Sequence, residues 1–262
     1  MLSHSNESLN FDKAHSSSSG KIGNFSTLYE LPMPGELPTK KVSESISGEQ
    51  YILKRGDYNI YLADSSQIRN KAVALVKRMY SWRGYDTESA AVSLHNQLTF
   101  VATRAQYIVG TVTLGLDSKG YLLADELYGR EINAFREKGR KVCELSKFAI
   151  DPEHSSREII ASLFHLAYIY GRIIHNATDL FGEVNPRHAR SHERMFGFRQ
   201  ISEMRTCPRV GAPAVLLHLE LDYVGDQIAS LAGSRKPGER SIYPYCSAHQ
   251  KGWLANNSQN IN

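Results

Sequence analysis

Residues 143–164, CELSKFAIDPEHSSREIIASLF, hold the side chains best placed to do chemistry. The segment reads as a strand that carries Glu144 and Lys147 within apolar sequence. It breaks at Asp151-Pro152 and runs into an apolar helix near Ser155 and Ser156. Charges inside a central strand cost free energy unless they are paired or face a cleft. Strand alternation puts Glu144, Ser146 and Phe148 on one face and Leu145, Lys147 and Ala149 on the other. A carboxylate, a hydroxyl and an aromatic wall then stand in a row; a structural ion pair at a strand end is the plainer alternative. A carboxyl kept partly dry has a raised pKa, which suits it to accept a proton near neutral pH. The helix start offers free N–H groups and the positive end of the macrodipole, reinforced by Ser155, Ser156 and Arg157. Its turn has no glycine, so a single phosphate on a flexible arm fits better than a nucleotide pyrophosphate. A serine there also serves simply as an N-cap.

A second group lies in residues 181–198, FGEVNPRHARSHERMFGF. A strand ends at Asn185-Pro186, and a short basic helix follows with Arg187, Arg190 and Arg194, which read equally well as a solvated face. Cys246 and His249 have metal-like spacing without a second pair, so no metal site is expected. Cys143 adjoins Glu144 but points to the opposite strand face and reads as a buried structural thiol.

The 262 residues are 41% hydrophobic and 22% charged, which suits one domain with tails. A mean hydropathy of −0.38 and the lack of a long apolar run exclude a membrane span. No apolar leader segment is visible, and three scattered cysteines suggest a reducing, cytoplasmic setting. A net charge of +4 is too small to argue for nucleic acid. Eleven serines fall in the first fifty residues, so 1–48 reads as a disordered or loosely attached tail. The domain proper is expected over 49–224, followed by a polar tail over 225–262 that Tyr243, Tyr245 and Trp253 can dock.

Between the tails the periodicity predicts strands over 58–63, 98–103, 107–114, 142–150, 180–184, 198–204 and 213–221. Helices are predicted from 68 to about 82, from about 121 to 138, and over 157–175 and 186–196. Trp82 reads as a lid over the end of the first helix. This order gives a single α/β sandwich with a mixed, largely antiparallel sheet.

That order of elements resembles the GCN5-related acyltransferase fold. Five segments, MYSWRGY (79–85), LLADELY (122–128), CELSKFAID (143–151), ASLFHLAYIYGR (161–172) and EVNPRH (183–188), carry the likeness further. They resemble the N-acyl amino acid synthase family of the FeeM type, akin to N-acyl homoserine lactone synthases, over roughly residues 55–222. The resemblance implies an acyl carrier protein whose 4′-phosphopantetheine arm donates a long-chain acyl group, an amino acid amine as acceptor, and no permanently bound cofactor. It implies Glu144 as general base, acting through a water, with Ser146 beside it. His192 stands where generic acetyltransferases have the tyrosine that protonates the thiolate. Phe148, Ile150, Ser155, Ser156, Arg157 and Asn185 are expected around the acyl chain and its arm. Arg83, Arg104 and Lys147 are the candidates for the acceptor carboxylate.

Lys147 replaces the arginine usual in lactone synthases and Tyr85 replaces their tryptophan, which argues against homoserine lactone formation from S-adenosylmethionine. Backbone N–H groups near 148–150 are expected to hold the oxyanion. The net-basic stretch 129–141 is a candidate dock for an acidic carrier protein. No serine or cysteine has an adjacent base and orienter, so direct transfer without an acyl-enzyme is expected. The alternatives are an acetyl-coenzyme A-dependent N-acetyltransferase and a non-catalytic module that binds acyl carriers or lipids.

Overall fold

Alternating apolar strands and amphipathic helices assemble here around one mixed sheet, described over residues 52–88, 94–117, 121–234 and 238–247 of a computed structural model. In chain order the elements are β1 (Leu53–Arg55), β2 (Tyr58–Leu62), α1 (Ser66–Ser81), β3 (Gln97–Arg104), β4 (Tyr107–Leu116), α2 (Asp125–Arg136), β5 (Val142–Ile150), α3 (Arg157–Tyr168), β6 (Asp179–Val184), α4 (Pro186–Phe196), β7 (Arg199–Gln200), β8 (Arg205–Cys207), β9 (Ala212–Glu220) and α5 (Leu221–Leu231). The sheet runs β1-β2-β3-β4-β5-β6-β9-β7, with β8 also on β9. Every neighbouring pair is antiparallel except β5 with β6. The expected α/β architecture with a largely antiparallel sheet is what forms.

Helices cover both faces. The residues of α1 spaced for burial, Ile68, Ala72, Leu75, Val76 and Met79, are the ones its packing buries. α2 lies on the same side, over Val142, Phe181 and Leu216. α3 is buried almost all round and, with α5, fills the other side. Gly110 on β4 permits that close approach, because an added Cβ would stand 2.8 Å from the Ile150 side chain and 3.1 Å from Leu163.

Several boundaries differ from the sequence reading. The helix predicted from 121 begins at Asp125, after a turn in which Leu122 N–H donates to Asp125 Oδ2. α3 gives way to a π-helical stretch over Ile169–Ile174. The strand predicted over 198–204 is only the two residues of β7, followed by the separate β8. The domain limit expected at 224 falls inside α5, whose Leu221, Val224, Ile228 and Leu231 are buried. Residues 238–247 are also fastened down: Ile242 and Tyr243 are buried, and the Tyr243 hydroxyl donates to Phe196 O. The expected tail over 1–48, and His249 and Trp253, lie outside the described residues.

The parallel pair is anchored at its start by Asp179. This fully buried carboxylate accepts from Arg140, Thr178 and His218. Burial would raise its pKa, yet those donors together hold it at about 2. Its stabilisation is therefore present above the unfolded pKa of about 3.9 and is lost as pH falls toward 2. Replacing Asp179 by Asn is expected to lower the unfolding free energy by about 3 kcal/mol at neutral pH. The deficit should shrink between pH 4 and pH 2, as followed by denaturant unfolding.

Candidate active site

Glu144 stands opposite Gly115 of β4 and Phe181 of β6, with 2% of its surface exposed. Its Oε2 accepts from the Ala124 N–H at 3.3 Å, and the Leu123 N–H also serves it. These amides open α2, whose N-cap residue Ala124 brings no capping side chain of its own. Glu144 thus caps α2 from a neighbouring strand. Burial favours the neutral acid, while the amides favour the carboxylate. Burial is the larger effect, and the pKa rises to about 7. Glu183 raises it further, and Arg209 partly offsets that.

The strand pairing accounts for both dryness and access. β5 and β6 are neighbours only over residues 142–145 and 179–182. Beyond that, β5 remains with β4 and β6 with β9. The two strands splay apart one residue past Glu144, and among the described residues no strand lies on the β6-facing edge of residues 146–150.

A bulge lies at the same place. Lys147 and Phe148 together oppose Val112, between the pairs Thr113–Ser146 and Thr111–Ala149. Lys147 adopts φ +51°, a left-handed conformation that costs a non-glycine residue about 1–2 kcal/mol. The extra residue reverses the alternation. Phe148 and Ile150 join Leu145 against the core under α3, whereas Ala149 packs on α1. The row expected from strict alternation is therefore corrected: Phe148 leaves the face of Glu144. Ser146 stays beside the acid, its Oγ buried with no partner among the described residues. Lys147 is half-buried, burial lowers its pKa, and the Glu144 charge acts against that.

The other expected residues fare differently. Ser156 is the N-cap of α3, its Oγ accepting from Ile159 N–H at 3.2 Å. The Ser155 Oγ is buried without a partner among the described residues. Arg157 donates to Glu239 O at 3.1 Å and lies 5.8 Å from the Tyr245 ring centre, so the C-terminal segment engages its guanidinium. The Asn185 side chain caps α4, accepting from Arg187 N–H at 3.2 Å.

Arg104 is a correction. It pairs with Tyr107 at the far end of the β3–β4 hairpin and forms an ion pair with Asp57 at 2.8 Å. Gly115, opposite Glu144, is eight residues further along β4, about 26 Å away. His192, expected as a proton donor to the thiolate, is another: it lies beside Phe196 and Phe198, with ring centres 5.6 and 6.2 Å away. Its Nδ1–H donates to His188 O at 3.0 Å and burial lowers its pKa, leaving Nε2 without a proton to give. In the basic stretch 129–141, Arg136 is tied to Asp117 and Asp125, and Arg140 to Asp179. That removes much of the free charge expected there for docking. Cys143 is buried under α3, and burial raises its thiol far above the ordinary range.

Further residues, of which Arg209 and Tyr80 were not singled out from the sequence, complete the site. Arg209, in the turn between β8 and β9, donates to Glu183 Oε2 at 2.5 Å, to Leu123 O at 2.8 Å and to Glu126. It ties that turn to the end of β6 and the start of α2. Burial lifts the Tyr80 hydroxyl to about 12, and Tyr85, Arg83, Glu183 and Cys207 also act on it. Tyr85 packs edge-on against Tyr80, with centres 5.9 Å apart. Asp86 N–H donates to Val210 O and closes this side. A polar turn such as Pro208-Arg209-Val210-Gly211 carries no sequence signal for any of this. A surface cavity of about 410 Å³ lined by Tyr168, Arg172, Asn176, Asp222 and Asp226 contains none of these residues.

Four of the segments that carried the resemblance, 79–85, 122–128, 143–151 and 183–188, therefore meet around Glu144. Residues 71–220, more than half of the chain, match the family model described as N-acyl amino acid synthase FeeM. The chain belongs to that family. It is an N-acyltransferase of the GCN5-related fold. The structure of FeeM, an N-acyl amino acid synthase from uncultured soil microbes, shares this fold at 24% identity and a TM-score of 0.58. That similarity covers 63% of this chain and 90% of that one. The lactone synthase LasI (11% identity, TM-score 0.43, 63% and 89% covered) and an N-acetyltransferase from Staphylococcus aureus Mu50 (12%, 0.44, 63% and 98%) are also similar. No curated protein matches significantly.

The raised pKa of Glu144 gives a stability test. Folding favours its acid form, so this contribution is complete below pH 4.5 and disappears as pH rises through about 7. Glu144→Gln keeps a carbonyl to cap α2 and removes that dependence. The melting temperature of the variant relative to the native chain is expected to be higher at pH 8 than at pH 5.

Proposed function

We propose that this enzyme moves a long-chain acyl group from an acyl carrier protein thioester to the amine of an amino acid, with Glu144 as general base. The observation that carries the reading is a buried carboxyl with a pKa of about 7 at the point where β5 and β6 part. Family membership supports amide formation on an amino acid. The amine loses a proton to Glu144, directly or through a water, as nitrogen forms its bond to the thioester carbon. Backbone N–H groups on the β6-facing edge of residues 146–150 are suited to stabilise the oxyanion. The carbon–sulfur bond then breaks, and the Glu144 acid returns a proton to the departing thiolate. Since His192 has no proton at Nε2, this route needs no second acid.

The two faces of β5 divide the work. Glu144 and Ser146 meet the amine on the α2 side. Phe148, Ile150 and Val184 offer half-buried apolar surface against the core on the other side, suited to a fatty chain. Ser155, beside the start of α3, is the remaining polar candidate for the phosphate of the 4′-phosphopantetheine arm. No helix of the described residues is long and apolar enough to cross a membrane.

Incubation with a long-chain acyl carrier protein thioester and the twenty L-amino acids is expected to give an N-acyl amino acid, detected by mass. Glu144→Gln should lower the rate by about 10²–10⁴-fold while leaving carrier-protein binding intact. Acetyl-coenzyme A used as efficiently as the carrier thioester, or an unimpaired Glu144→Gln variant, would contradict the reading.

A further inference from the structure

Two guanidiniums stand at the rim of the site, one from the end of α1 and one from the start of α4. Arg83 donates to Met79 O at 2.9 Å and lies 5.1 Å from the Trp82 ring centre. Arg187 lies 5.1 Å from the ring centre of Tyr85 and donates to its hydroxyl. Both act on His188, whose pKa falls to about 4 through burial and then through His192, Arg187 and Arg83. This imidazole is therefore neutral at physiological pH and adds no charge to the pair. Arg187 is exposed and makes no ion pair among the described residues.

Three neighbouring arginines are held in ion pairs. Arg209 is paired with Glu126 and Glu183, Arg205 with Glu131, and Arg78 with Asp151. Arg209 also offsets part of the charge of Glu183, which would otherwise repel an incoming anion near the base more strongly. The rim and the acid are adjoining: Asp86 N–H, next to Tyr85, donates to Val210 O, and Arg209 beside Val210 donates to Leu123 O at 2.8 Å, next to the Ala124 amide that serves Glu144. Stacking on an aromatic face holds a guanidinium while leaving N–H edges for a planar, bidentate acceptor.

We propose that Arg83 and Arg187 together bind the α-carboxylate of the acceptor and so restrict it to amino acids. The inference rests on the acyl-transfer reading above. The amine and carboxylate of an α-amino acid share one carbon, so an anion site must adjoin the base. The Arg83–Arg187 rim does so, whereas Arg104 does not.

The test takes the amino acid acylated fastest among the twenty L-amino acids and compares it with its primary amide, which lacks the charge. The native enzyme is expected to prefer the acid. In Arg83→Gln and Arg187→Gln, kcat/KM should fall about tenfold more for the acid than for the amide, chiefly through KM. Arg187→Lys should restore part of the preference. An unchanged preference in both variants overturns the inference while leaving acyl transfer intact. Equal losses on acid and amide mark a general structural role and also overturn it. If the native enzyme acylates neither compound, the acyl-transfer reading fails, and this inference with it.

Discussion

The structure depends on a parallel strand pair that stops early. β5 and β6 hold each other for four residues and then part, and Glu144 sits in the last but one of these pairs, where both strands still cover it. Two residues earlier would put it at the sealed end of the pair; two later would put it on the open edge. The buried Asp179 network fastens the closed end. The bulge at Lys147 turns β5 at the open end and stores local strain beside the acid. Burial and the α2 amides act in opposite directions on the carboxyl, and their balance sets a pKa at which it can exchange protons near neutrality.

The elements around the opening are joined by arginines as well as by apolar contact. Arg209 links the β8–β9 turn to β6 and α2, and Arg205 links β8 to Glu131 of α2. Arg136 fixes α2 through Asp117 and Asp125. Forked guanidinium–carboxylate contacts set geometry as well as charge. The amides that serve Glu144 belong to α2, so these pairs reach the acid through one element. Arg187 differs because it makes no such pair among the described residues.

Much of this was legible in the sequence. The apolar spacing of α1 and the Asn-Pro start of α4 gave those helices nearly residue by residue, and charge within an apolar strand drew attention to Glu144. What escaped has physical reasons. A lysine in the left-handed region leaves no local mark, so the bulge that moves Phe148 to the other face was invisible. α5 has buried residues at helical spacing, but Gly225 and the polar residues around it read as a tail. Arg104 and Arg83 look alike until hairpin direction places Arg104 far from Glu144. The tautomer that removes His192 as a proton donor depends on a carbonyl one turn away.

The claim beneath all of this is that Glu144 titrates near neutrality. A direct check is an NMR titration with ¹³C-labelled glutamate side chains, with the Glu144 signal assigned by its loss in Glu144→Gln. The account predicts that its carboxyl titrates with a midpoint near 7, well above the exposed glutamates. A midpoint in the ordinary range near 4.5 would contradict it.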